Sequence, residues 1–171
     1  MGGVSGDGSR GTVAVVITVS DRSAAGVRSD ESGPRAVGRL RDAGFRVGAA
    51  RVVPDGAESV RSALSAALAD GARLVLTTGG TGVGPRDETP EGTRPHLTRE
   101  LPGIAEALRA DGARHTPAAA LSRGVAGIAG AAPGALVVNL PGSVAAVEQG
   151  LDVLLPVVGH VLAQLDGADH G

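Results

Sequence analysis

Two short runs of this chain are almost entirely aliphatic or β-branched: TVAVVITV at Thr12–Val19 and RLVLTT at Arg73–Thr78. A strand with one solvated face alternates apolar and polar residues, so runs that do not alternate are expected to be buried on both faces. The chain between them supplies the cover. Val37, Leu40 and Arg41 lie on a helix that Gly44 is placed to close, and Phe45–Val53 reads as a second strand. Val60, Ala63, Leu64, Ala67 and Leu68 then follow an amphipathic helical stripe ended by Gly71. Strands alternating with such helices predict a three-layer α/β/α domain, a mostly parallel sheet with helices on both faces.

Further along, Thr89-Pro90-Glu91 reads as a helix start with Thr89 as cap, and Leu101-Pro102-Gly103 precedes a short helix carrying Ile104, Ala107 and Leu108. Arg123–Gly130 and Ala135–Leu140 are two strand candidates whose spacing allows an antiparallel pair at the sheet edge. Ser143 is placed to cap a long helix with Val144, Val147, Leu151, Leu154, Leu155, Val158 and Leu162 on its inner face, kinked or split at Pro156. Residues 1–10 are glycine- and serine-rich without apolar period and read as a flexible tail, leaving 11–168 as a single domain.

Composition narrows the functions. Sixteen Lys and Arg against eighteen Asp and Glu give a net charge of −2, which does not suit a nucleic-acid backbone as partner. One Phe and no Trp or Tyr remove the aromatic platforms on which single strands stack. Without cysteine there is no disulfide, zinc-thiolate site, iron–sulfur cluster or thiol catalysis. No apolar run approaches the ~18 residues of a membrane helix, and the start MGGVSGDGSRG lacks a secretory signal's apolar stretch. A cytoplasmic protein with neither nucleic acid nor membrane as partner is expected. His96, His115, His160 and His170 show no ligand spacing, and no serine sits in a GxSxG elbow.

The chemistry gathers at glycine turns. Strand Arg73–Thr78 runs into Gly79-Gly80-Thr81-Gly82, whose successive N–H groups could cradle phosphate oxygens. It is neither a P-loop nor a dinucleotide fingerprint. Arg86 and Asp87 follow, just before the Thr89-Pro90 helix start. Asp87 could help hold Mg²⁺, which takes one or two carboxylates beside substrate phosphates, or Arg86 and Asp87 could simply pair across a surface loop. A second turn, Asn139-Leu140-Pro141-Gly142-Ser143, feeds the long helix, where Ser143 serves either an anionic ligand or only as a cap. In open α/β sheets ligands collect outside the carboxyl ends of the strands, so both turns, Ser20-Asp21 and Val53-Pro54-Asp55 are expected at one rim. Asp55 is a routine cap unless it faces Asp87 across that cleft.

Seven stretches together resemble the molybdopterin adenylyltransferase family, the MogA/MoaB type that includes the gephyrin G domain. They are ITVSDR (Ile17–Arg22), ESG (Glu31–Gly33), VVPD (Val52–Asp55), TTGGTGVGPRDETPE (Thr77–Glu91), LPG (Leu101–Gly103), LSR (Leu121–Arg123) and NLPGS (Asn139–Ser143). Glu88 stands where that family commonly has a small apolar residue, and Gly92 where alanine is common. The resemblance implies a molybdopterin-binding-like fold, a homo-oligomer (a trimer, or trimers paired as hexamers), and transfer of AMP from Mg·ATP to the terminal phosphate of molybdopterin. It implies Asp55 and Asp87 as catalytic, metal-associated carboxylates. Gly79, Gly80, Thr81, Gly82, Glu91, Pro141, Gly142 and Ser143 would hold nucleotide or pterin phosphates, with Ser20, Ser32 and Ser122 near the pterin. A non-catalytic molybdopterin-binding or delivery protein of the MoaB type is the alternative. A third is a structural oligomer module whose interface is the Val144–Leu165 helix.

Because the chain has no Trp or Tyr, purified protein should be nearly transparent near 280 nm, and a bound pterin or adenine should dominate its near-ultraviolet spectrum. A spectrum unchanged by added molybdopterin would contradict both ligand-based readings.

Overall fold

The structure, a computed structural model, describes residues 10–168; the expected tail lies outside the described residues except for Arg10, as does His170. Strands β1 (Val13–Val19), β2 (Arg46–Val47), β3 (Arg51–Val53), β4 (Leu74–Thr78), β5 (Leu97–Glu100), β6 (Ala126–Ala129) and β7 (Ala135–Leu140) form one sheet. Its order is β2-β1-β4-β7-β6-β5, with β3 also paired to β1. Strands β2, β3 and β4 run parallel to β1, and β7 runs parallel to β4. The β6–β7 and β5–β6 pairings are antiparallel, as the spacing of the last two strands allows.

The non-alternating runs are buried on both faces. On β1, Ala14 and Val16 join a core with Leu40 and Leu151, whereas Val15, Ile17 and Val19 pack with Val60 and Leu64. Helices α2 (Ser32–Asp42) and α6 (Val144–Leu165) cover the first face, with α5 (Pro102–Ala113) beside α6, and α3 (Ala57–Ala69) covers the second. Two short helices, α1 (Asp21–Ala24) and α4 (Thr89–Thr93), sit at the carboxyl ends of β1 and β4. The chain leaves β1 for one flank through α2 and returns across it through α3 to β4. The reversal opens a crevice beyond the carboxyl ends of these two strands.

Several elements differ from expectation. Phe45–Val53 is two short strands rather than one, interrupted at Gly48-Ala49-Ala50, where small side chains give a strand little to pack. Arg123–Gly130 shortens to β6, and β5 has no apolar run to announce it. Thr89 is the first residue of α4, not its cap; Glu88 precedes the helix, and Pro90 stays in the first turn, where its missing N–H is harmless. Gly56, at φ +114°, stands at the start of α3 in the place expected for Asp55. Pro156 does not split α6: Leu154 before it and Val158 after it are buried in the same core, and that packing carries the helix through. With 22 residues and few charges, α6 is long and apolar enough to cross a bilayer, contrary to the expected absence of such a segment. Its Val147, Leu151, Leu154, Val158 and Leu162 stripe instead closes the core of this domain.

Leu151 is completely buried, so Leu151→Ala should cost about 2–5 kcal/mol, read from urea unfolding followed by circular dichroism. A loss of about 0.5 kcal/mol or less would contradict its place in the core.

Candidate functional site

The two glycine turns meet. Both follow adjacent parallel strands, and a Cβ placed on Gly142 would lie 3.2 Å from the Gly79 Cα. The Gly79 N–H donates to the Leu140 carbonyl at 3.0 Å, so the β4–β7 ladder continues into the turn. Thr89 then fastens the loop to α4: its hydroxyl donates to the Gly79 carbonyl at 2.8 Å and its N–H to the Gly80 carbonyl at 3.0 Å.

Asp55 and Asp87 flank this same loop. A Cβ on Gly80 would lie 3.4 Å from Asp55 Oδ1, and one on Gly82 2.8 Å from Asp87 Oδ2. Each carboxylate is half-buried and has one oxygen engaged by a main-chain donor. The Asp21 N–H donates to Asp55 Oδ2 at 2.9 Å, and the Gly84 N–H to Asp87 Oδ2 at 2.9 Å. Asp55 therefore does not cap α3; it exchanges hydrogen bonds with Asp21, the first residue of α1, whose Oδ1 accepts from the Asp55 N–H at 3.0 Å. Arg86 grips Asp21 with two bonds of 3.0 Å and donates a third to the Asp55 carbonyl. It does not pair with its neighbour Asp87.

Arg123 performs the equivalent task across the loop. Its Nε donates to the Gly82 carbonyl at 2.8 Å, its Nη2 to the Asp87 carbonyl at 2.6 Å, and it forms an ion pair with Glu91. Glu91, expected among the phosphate-holding residues, thus faces an arginine of its own. Both braces depress the carboxyl they hold: Arg86 hydrogen-bonded to Asp21, and Arg123 hydrogen-bonded to Glu91, keep these acids below their ordinary values.

Two hollows open beside the loop. A largely apolar cavity of about 350 Å³ is lined by Thr81, Gly82, Leu108, Ser122, Pro141 and Ser143 among others. A polar cleft of about 290 Å³ on the other side is lined by Thr18, Ser20, Asp30, Ser32, Gly142 and Ser143. Ser143, which caps α6 by accepting from the Ala146 N–H at 3.1 Å, borders both. Ser20 caps α1, and Ser32 is buried with its hydroxyl 3.2 Å from Thr78 Oγ1. Thr81, Gly82, Ser122 and Pro141 thus line the first hollow, Ser20, Ser32 and Gly142 the second, and Ser143 both, while Gly79, Gly80, Glu91, Asp55 and Asp87 line neither.

Sequence reasoning placed Ser20-Asp21 at the rim without giving Asp21 its partners, and missed Asp30 and Arg123 as contributors. Asp30, which accepts from Thr18 Oγ1 at 2.8 Å and from the Gly33 N–H at 3.0 Å, adjoins the ESG stretch, and Asp21 and Arg123 lie inside SDR and LSR. Apart from the local bonds of Asp30 to Ser32 and Gly33, their side-chain partners are 12 to 65 residues distant, so only position within a motif could have pointed to them.

Residues 15–160 match the family model described as a probable molybdopterin binding domain. The chain belongs to this family. It is 45% identical over 161 residues to the molybdenum cofactor biosynthesis bifunctional protein of Synechococcus elongatus, covering 94% of this chain and 50% of that one. The chain thus spans about half the length of that relative. The molybdopterin adenylyltransferase of Pyrococcus furiosus is 42% identical over 149 residues, covering 86% of this chain and 87% of that one. A molybdopterin biosynthesis protein from Mycobacterium abscessus superposes with a TM-score of 0.85 at 45% identity, covering 91% of this chain and 97% of that chain. Family membership agrees with the expected fold: a mostly parallel sheet between helical layers, with an antiparallel edge.

For the family member described here, the depressed carboxyl of Asp21 fixes a pH dependence. A group whose folded pKa is lowered stabilises the fold above its unfolded value and ceases to do so as pH falls through the folded one. The stability difference between the parent and Asp21→Asn, read from thermal melts, should hold from neutrality to about pH 5 and shrink only below about pH 4. A difference already lost at about pH 5 would contradict the Arg86 clasp.

Proposed function

We propose that the domain of residues 11–168 transfers AMP from ATP to the terminal phosphate of molybdopterin and releases pyrophosphate. One observation carries this proposal: two carboxylates from different loops, one after β3 and one after β4, approach a single glycine loop that touches the second glycine turn. A site that only captured an anion would gain nothing from two acids, since they repel it unless a cation accompanies it.

An attacking phosphate oxygen is already ionised at neutral pH, so no general base is required. It forms the new bond to the α-phosphorus while the bond to the bridging oxygen breaks and its electrons leave with pyrophosphate. What the protein must provide is in-line alignment of two anions. The main-chain donors of Gly79–Gly82 and the amino end of the 22-residue α6 are suited to bind and orient phosphate oxygens. Asp55 and Asp87 each keep an oxygen beyond the one held by a main-chain N–H, and two such oxygens fit Mg²⁺, which fills its other positions from phosphates and water. Among the described residues no group of three or more His, Cys, Asp or Glu is placed to hold a metal ion by itself. Bound there, Mg²⁺ would neutralise charge developing on the phosphates.

The apolar cavity and the hydroxyl-rich cleft would take the two ring systems between aliphatic walls, as a chain with no Trp or Tyr requires. A homo-oligomer, a trimer or paired trimers, working in the cytoplasm completes the proposal, and it follows the family resemblance.

Incubation with Mg·ATP and molybdopterin should yield adenylylated pterin and pyrophosphate, and Asp87→Asn should slow product formation at least about 100-fold. Pterin binding without product would make the protein a binding or delivery module; equal rates for parent and variant would refute the carboxylate assignment.

A further inference from the structure

Four glycines, Gly79, Gly80, Gly82 and Gly84, lie within six residues, and a backbone without Cβ atoms has more conformations to lose than any other. Yet the transfer chemistry needs Asp87 held to a fraction of an ångström. Short-range bonds secure only part of this segment: Asp87 N–H to the Gly84 carbonyl and Gly84 N–H to Asp87 Oδ2. The region between Thr81 and Glu91 is tied to the body of the domain by Arg86 with Asp21 and the Asp55 carbonyl, by Glu88 with the Ala57 N–H, by Thr89 with Gly79 and Gly80, and across the loop by one distant residue that reaches both Gly82 and Asp87.

We infer that Arg123 is a positioning residue for Asp87 and the glycine loop, acting through the Gly82 and Asp87 main-chain carbonyls. Its own N–H donates to the Thr81 carbonyl at 2.8 Å, fixing the segment that carries it. All three guanidinium nitrogens are engaged: Nε with Gly82, Nη2 with Asp87, and Nη1 with the Glu91 carboxylate. The planar fork thereby spans three acceptors on the loop, on the segment carrying the carboxylate and on α4. In a trans peptide C=O and N–H point in opposite directions. Drawing these two carbonyls to Arg123 therefore turns the Val83 and Glu88 N–H groups away from it. Positive charge alone would not do this. A lysine ammonium is a compact point charge, whereas the rigid fork dictates where each acceptor must lie.

The kinetic part of the test rests on the adenylyl-transfer proposal; an exchange measurement does not. In the full chain, parent, Arg123→Ala, Arg123→Lys and Arg94→Ala are compared. Arg94 pairs with Glu100 and controls for loss of a nearby positive charge. Both Arg123 variants should lower kcat about 100-fold, raise the Mg²⁺ concentration for half-maximal rate and leave KM for ATP little changed, while Arg94→Ala tracks the parent. Amide hydrogen exchange at Gly84 and Thr89 should quicken in both Arg123 variants and not in Arg94→Ala. Parent-like rates in Arg123→Lys, an equal loss in Arg94→Ala, or unchanged exchange at the two amides in folded Arg123 variants would each overturn the inference. A parent that makes no adenylylated pterin would refute the proposed function instead, and the exchange result would still decide the role of Arg123.

Discussion

At the carboxyl end of β4 the backbone has no room for a side chain. A Cβ on Gly79 would come within 2.3 Å of the Val19 carbonyl oxygen, and the residue adopts φ +99°, a conformation that only glycine takes without strain. The close approach of β1, β4 and β7 at that point brings their loops to one rim. It also lets Gly142 lie against Gly79, so two turns more than sixty residues apart act as one surface. Any side chain at Gly79 would have to push β1 away from β4, and the rest of the site would separate with it.

Behind the loop stands a buried polar network that carries no charge. Asn139 donates to Thr77 Oγ1 at 2.9 Å and to Thr93 Oγ1 at 3.0 Å, and its Oδ1 accepts from the Val125 N–H at 3.1 Å. One side chain thus ties β7 to β4, to α4 and to the segment entering β6. Burying an amide without partners is costly, but with all of them in place it specifies one arrangement; among the described residues no buried side-chain polar atom lacks a partner. The charged braces, Arg86 on Asp21 and Arg123 on Glu91, are more exposed. Exposed pairs add little to stability. Their value lies in orientation, since each guanidinium also holds a main-chain carbonyl beside a site carboxylate.

The central strands were legible because burial on both faces leaves a composition that no helix stripe or solvated strand shares. Val13–Val19, Leu74–Thr78 and Ala135–Leu140 emerge within a residue of expectation. Edge elements were not, because their stability comes from neighbours: Leu97–Glu100 pairs with β6 although only Leu97 among its four residues is apolar. Asp55 shows the same limit at the site. An aspartate before a helix has a local role waiting for it, and only the approach of Asp21, thirty-four residues away, shows that its carboxylate is engaged elsewhere.

From the order of residues alone came the layered fold, the glycine turns at the ends of buried strands and the pair of acids. All of these follow from local chemistry: periodicity, missing Cβ atoms and ionisable groups close to them in the chain. Tertiary structure decided which groups meet. It set Asp55 against Gly80 and Asp87 against Gly82, gave Arg86 to Asp21 rather than to its neighbour, and brought Arg123 to two carbonyls about forty residues distant. Such contacts depend on how the crossovers through α2 and α3 stack β4 beside β1, and no residue carries that information in its own neighbourhood.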